Sequence, residues 1–211
     1  MLEWMLVGTG FTGALTLVFM IRAFARNFST PMTITPHFSP KGGCTDAIVN
    51  EINHARKEIL VQAYSFTCPA IAAALIAARA RGVKVLILLD RANEKDSRSE
   101  LGIIEHQGVD VLIDAHHAIA HNKIIIIDQQ TLITGSFNFT RQAEHENAEN
   151  MLILKGSPHI LDPYVKNFMA HKEHCQAPAA VPPPAEKPSG DAAHHAHVDS
   201  DHHQATSRRS A

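Results

Sequence analysis

Two short runs constrain the architecture most. Residues 83–89 read VKVLILL and residues 124–127 read IIII. Successive side chains of a strand point to opposite faces, so a strand apolar at every position is apolar on both sides. Such strands need cover above and below, as in a sheet flanked by helices.

The neighbouring sequence supplies those helices. Residues 32–38 form a short β-like run that ends at Pro40 and Gly42-Gly43. Residues 44–57 carry Ala47, Ile48, Ile52 and Ala55 at helical spacing, with Thr45 as the expected N-cap. A strand over 58–64 follows, then an alanine-rich helix over 69–81 closed by Gly82. The strand over 83–89, a helix over 99–107 closed by Gly108 and a strand over 109–113 continue the alternation. Beyond it, 123–127 and 131–134 suit a hairpin around Asp128-Gln129-Gln130. A last strand over 151–154 and a terminal helix ending near His174 complete the pattern. The expected fold class is α/β, with a mixed, mostly parallel β-sheet flanked by helices on both faces.

This folded region is expected over 31–175, between an N-terminal segment (1–30) and a tail (176–211). Residues 4–21 hold no charge, and their length is about what a hydrocarbon layer requires. Arg22 and Arg26 follow. Ala23-Phe24-Ala25 resembles a signal-peptidase site, but a signal peptide starts with positive charge and here Glu3 is the early charged side chain. An uncleaved anchor is therefore the preferred expectation, with a cleaved signal as the alternative. The membrane side is open: the arginines favour a cytosolic domain, the cleavage site favours export. The tail is rich in proline and alanine, then in histidine (His194, His195, His197, His202, His203). Such a segment cannot build a core and is expected to be disordered. Its histidines can bind a transition metal loosely.

Charge excludes one function class. With 19 Lys+Arg against 21 Asp+Glu, the chain is not a polybasic nucleic-acid binder and must grip phosphate through a local site. Cys44, Cys68 and Cys175 are too few and too scattered for a disulfide framework.

That local site is expected between 121 and 149. His121 and Lys123, two apart at a strand mouth, project to the same face. Gly135, Ser136 and Asn138 stand at the end of the next strand, where glycine permits close backbone approach and the two polar residues add short donors. An imidazole, an ammonium, a hydroxyl and an amide around one spot suit a phosphate ester.

The order His121-x-Lys123-x4-Asp128, then Gly135-Ser136-x-Asn138, resembles the signature of the phospholipase D superfamily. The match is nearest to its short single-motif bacterial endonucleases and to mitochondrial members with an N-terminal anchor. AYSFT (63–67), the RGVKVLILLD strand and GSFNFT fit the same pattern. The resemblance covers about 35–175 and implies a two-step phosphodiesterase. Members use two motif copies, and one occurs here, so a homodimer with one shared active site is implied. His121 of one subunit would form a phosphohistidine, and the second His121 would serve as acid, then base. Lys123, Ser136 and Asn138, with Gly135, would hold the phosphate oxygens. Glu149 falls where the family's histidine-orienting carboxylate lies. Asp128 is grouped with the catalytic set, with a structural role at the strand end as the alternative. Neither a metal nor another cofactor is expected in this scheme.

The substrate expected first is DNA or RNA; the alternative is a phospholipid headgroup, reached from a membrane held by 4–21. A non-catalytic nucleic-acid or lipid binding module is the third reading. Several residues remain ambiguous. Phe137 and Phe139 suit core packing better than base stacking. His116 and His117 suit the surface better than a substrate channel. Arg79, Arg81, Lys84, Arg91, Lys95 and Arg98 form either a phosphate track or a solvated face. His171, His174 and Cys175 lie together on the last helix, but no fourth metal ligand is evident.

Overall fold

The computed structural model describes residues 31–179, and the expected anchor and most of the tail lie outside them. Among the described residues, no helix is long and apolar enough to cross a membrane. The chain runs β1 (Thr33–Ser39), α1 (Cys44–His54), β2 (Glu58–Ala63), α2 (Pro69–Ala80), β3 (Lys84–Asp90) and a 3-10 turn (Arg91–Glu94). It continues through α3 (Leu101–His106), β4 (Asp110–Asp114), β5 (Lys123–Ile127), β6 (Thr131–Gly135), α4 (Arg141–His145), β7 (Glu149–Lys155) and α5 (Pro158–His174).

One seven-stranded sheet in the order β1-β7-β6-β5-β2-β3-β4 carries the fold. It is mixed, as expected, but not mostly parallel. Only β2–β3 and β3–β4 pair in parallel. The other four neighbours pair antiparallel. The reason is connection length. Crossover helices make the first strands parallel, whereas three residues between β5 and β6 permit only a hairpin.

Two apolar cores sit on the two faces. In α1, Cys44, Ile48 and Ile52 recur every fourth residue and bury one stripe against the first core. Phe137 and Phe139 join that core, with Phe66. In α5, Leu161, Val165 and Phe168 form a stripe against Leu60, Ile126 and Leu132 on the other face. Burying a side chain such as Phe168 contributes roughly 1.5–3 kcal/mol.

Two further expectations need correction. Gly43, not Thr45, is the N-cap of α1; its φ of 74° suits glycine. The capping carboxylate comes from far along the chain, since Glu144 accepts from the Gly43 and Thr45 N–H groups. The domain also runs past 175: Gln176 pairs with Ile113, and the Ala179 N–H reaches Glu94.

Candidate active site

Topology gathers the polar residues at one edge. In the antiparallel pairs, the start of β5 lies beside the end of β6 (Ile124↔Thr134), and the start of β7 beside the end of β1 (Ser39↔Glu149). The end of β2 meets the start of β5 (Ala63↔Lys123). Between β2 and β5 the order of strands reverses direction, and such switch points open crevices that bind ligands.

His121 stands just before β5, exposed, with its ring 4.6 Å from the Tyr64 ring in an edge arrangement. Its ring nitrogens make no hydrogen bond among the described residues, so a lone pair is free for chemistry. The segment is fixed by backbone: Tyr64 N–H donates to the Asn122 carbonyl. Lys123 is only 6% exposed. Its Nζ donates to the His121 carbonyl at 3.2 Å and lies 5.1 Å from the Tyr64 ring centroid. Burial lowers the Lys123 pKa, and the Glu149 charge opposes that shift.

Gly135 is required by close approach. A Cβ there would come within 2.3 Å of the Asn150 carbonyl oxygen. That carbonyl accepts from the Ser136 and Phe137 N–H groups, which turns Ser136 toward Glu149. Ser136 Oγ donates to Glu149 Oε2 at 2.6 Å, and Asn147 Nδ2 donates to Glu149 Oε1 at 2.9 Å. Within one chain, then, Glu149 holds Ser136 and Asn147 rather than the imidazole. The Asn138 Oδ1 atom is buried and has no hydrogen-bond partner among the described residues. An orphaned buried amide is costly and marks a place where a ligand can supply the missing bond. A half-turn of the amide presents its N–H donors instead.

Asp128 lies apart. It sits at the far end of β5, about 17 Å along the strand from Lys123 at 3.3–3.4 Å per residue. Its carboxylate accepts from the Arg56, Lys57 and Glu58 N–H groups at 2.7–3.0 Å. Burial would raise its pKa, but those N–H bonds hold it below the ordinary value. The geometry gives it the structural role.

Tyr64 and Asn147 are the site residues that the sequence reading missed. Tyr64 was legible only as part of AYSFT, and Asn147 carried no spacing signal. The expected basic stretch divides. Arg91 and Lys95 line a cavity of about 410 Å³ with Ile119 and with Tyr64, whose ring meets that of His121. Arg79 and Lys84 line a different cavity, and Arg81 donates to the Ile52 carbonyl. A second polar cluster groups Asp114, His117, His171 and His174, with ligand-type atoms all within 4.8 Å.

Comparison with known proteins agrees with this fold. A family model described as "Cardiolipin synthase, PLD-like domain" matches residues 48–172. The phospholipase D of Rickettsia conorii is 47% identical over 135 residues, covering 64% of this chain and 67% of that protein. The mitochondrial cardiolipin hydrolase of Xenopus tropicalis is 30% identical over 171 residues, covering 72% and 81%. Among solved structures, Nuc from Salmonella typhimurium, a phospholipase D family member, matches with a TM-score of 0.66 at 32% identity. That match covers 69% of this chain and 97% of Nuc. NucT from Helicobacter pylori shares the fold at a TM-score of 0.64 and 22% identity, covering 69% and 99%.

Proposed function

The chain belongs to the phospholipase D superfamily and is a phosphodiester hydrolase; from that premise we propose that it is an endonuclease that cleaves DNA or RNA without a catalytic metal. The observation that carries this reading is the exposed His121 imidazole, with no ring hydrogen bond among the described residues, beside buried Lys123 and against Tyr64, which lines a cavity with Arg91 and Lys95 on its wall. Two cations beside a nucleophile suit a substrate with successive phosphates. The carboxylate of Glu94 on the same wall is engaged by the Ala179 N–H.

One chain holds one motif, so the complete site is built by two copies. The apolar edge of β1 supports this pairing. Phe38 is 62% exposed and pairs in register with Asn150, next to Glu149. The His121 lone pair attacks phosphorus, and a P–N bond replaces the bond to the leaving oxygen. The second copy's imidazolium gives that oxygen its proton. The resulting neutral imidazole then takes a proton from water, whose oxygen displaces the P–N bond. Lys123, Ser136 and Asn138 stabilise the negative charge that builds on the phosphoryl oxygens. Glu149 positions Ser136.

A phospholipid substrate is the second reading, favoured by Ile119, which is 60% exposed on the wall of the same cavity. An anchor over 4–21 would place the site at a bilayer, or a cleaved signal would export it. The test incubates the full chain with single-stranded DNA, RNA, duplex DNA and cardiolipin vesicles in EDTA, alongside His121→Ala. Polynucleotide cleavage that survives EDTA and vanishes in the variant is expected. Headgroup release alone would assign the lipid, and no turnover of either would leave a binding module. Mixing His121→Ala with wild-type subunits tests the shared site. Activity should fall with the square of the wild-type fraction, whereas a linear fall would contradict a two-copy site.

A further inference from the structure

Away from that site, three structural elements bring four ligating groups together. Asp114 ends β4, His117 lies in the following loop, and His171 and His174 occupy the last turn of α5. Residues three apart on a helix share a face. The tail after α5 is held there by the Gln176–Ile113 bridge.

The three imidazoles converge on one oxygen. His117 Nδ1 and His171 Nδ1 each lie 3.0 Å from Asp114 Oδ2, and His174 Nε2 lies 3.5 Å from it. The carboxylate also accepts the His116 and His117 N–H groups through Oδ1. Oδ2 offers about two lone-pair directions for three nitrogens. His174 Nε2 is consequently buried with no hydrogen-bond partner among the described residues. A divalent cation satisfies all four groups at once through lone pairs.

The spacing supports this. Four ligands about 2.1 Å from a tetrahedral zinc stand roughly 3.4 Å apart. The distances from Asp114 to the three nitrogens bracket that value, and every pair in the cluster lies within 4.8 Å. Small side-chain rotations close the tetrahedron. Imidazole and carboxylate donors suit zinc and its neighbours rather than calcium or magnesium.

We propose that Asp114, His117, His171 and His174 form a binding site for one zinc-class divalent cation that clamps the end of α5 to the loop leading to His121. Of the three ligands expected on the last helix, His171 and His174 belong to the cluster and Cys175 does not; Asp114 and His117, 54 or more residues upstream of His171, supply the other two. All four positions are filled by protein, so this ion is structural and not the catalyst. His116, whose ring lies 4.7 Å from that of His174, stacks on the cluster from outside.

The test uses the full chain with His194→Ala, His195→Ala, His197→Ala, His202→Ala and His203→Ala, so that the tail binds nothing. After incubation with zinc and desalting, one equivalent per chain is expected by elemental analysis. Cobalt should give the intense visible bands of a four-coordinate ion, and zinc should raise the melting temperature. His171→Gln and Asp114→Asn, each checked for folding by circular dichroism, should lose the equivalent and the bands. No retained ion in the tail-substituted chain would overturn the site. So would an equivalent that survives in both folded variants.

Discussion

The two ends of β5 carry one motif and behave in opposite ways. At the Lys123 end the groups are underused among the described residues: there His121 makes no ring hydrogen bond, the Asn138 oxygen finds no partner, and an ammonium is buried. At the Asp128 end, three backbone N–H groups occupy the carboxylate. Unspent polar capacity marks chemistry, and fully used capacity marks structure. A consensus spacing does not separate these two roles, whereas the hydrogen-bond partners do.

Substitutions at the two ends should therefore separate activity from stability. His121→Ala removes the nucleophile and should lower kcat by about 10⁴-fold or more, with thermal stability nearly unchanged, as steady-state assays and calorimetry would register. Lys123→Met should cost about 10²–10³ in kcat, as loss of an oxyanion donor does. It should not destabilise the fold, because it removes a desolvated charge. A loss of folding with retained kcat would reverse the assignment of that end.

Asp128→Ala should do the converse. Leaving three N–H groups without their acceptor should cost about 1–3 kcal/mol in denaturant melts, with kcat within about twofold of wild type. The sign of the pH dependence follows from the lowered Asp128 pKa. Its stabilisation is fully present above the unfolded value of 3.8 and is lost as pH falls through the lower folded value. Acid melts of Asp128→Ala should lack that share of the loss. Of the substitutions at the Lys123 end, Ser136→Ala should have the smallest effect, about tenfold in kcat. It breaks the bond to Glu149 while leaving the backbone turn intact.

What was legible in the sequence was whatever local pattern encodes. Apolar runs, helix stripes and glycine stops placed the strands and the helices other than α4 and the 3-10 turn within a few residues, and the motif put forward His121, Lys123, Ser136, Asn138 and Glu149 as site residues. What was illegible was set by contacts between distant segments. Glu144 caps α1 across about a hundred residues, a pairing no local spacing reveals. Asp114, just past the expected strand over 109–113, carried no signal of its own; α5 brings His171 and His174 to it. The excess of parallel strands was misjudged because βαβ rhythm in the first half says nothing of how β1 and β7 pair.

The central claim is that His121 carries the phosphoryl group between two steps. The direct measurement is a rapid quench of enzyme and substrate into alkali, followed by mass spectrometry of the digested chain. A phosphoryl adduct, acid-labile and alkali-stable, should appear on His121 during turnover and be absent from His121→Asn. Rapid turnover with no adduct at that residue, or an adduct on another side chain, would contradict the mechanism.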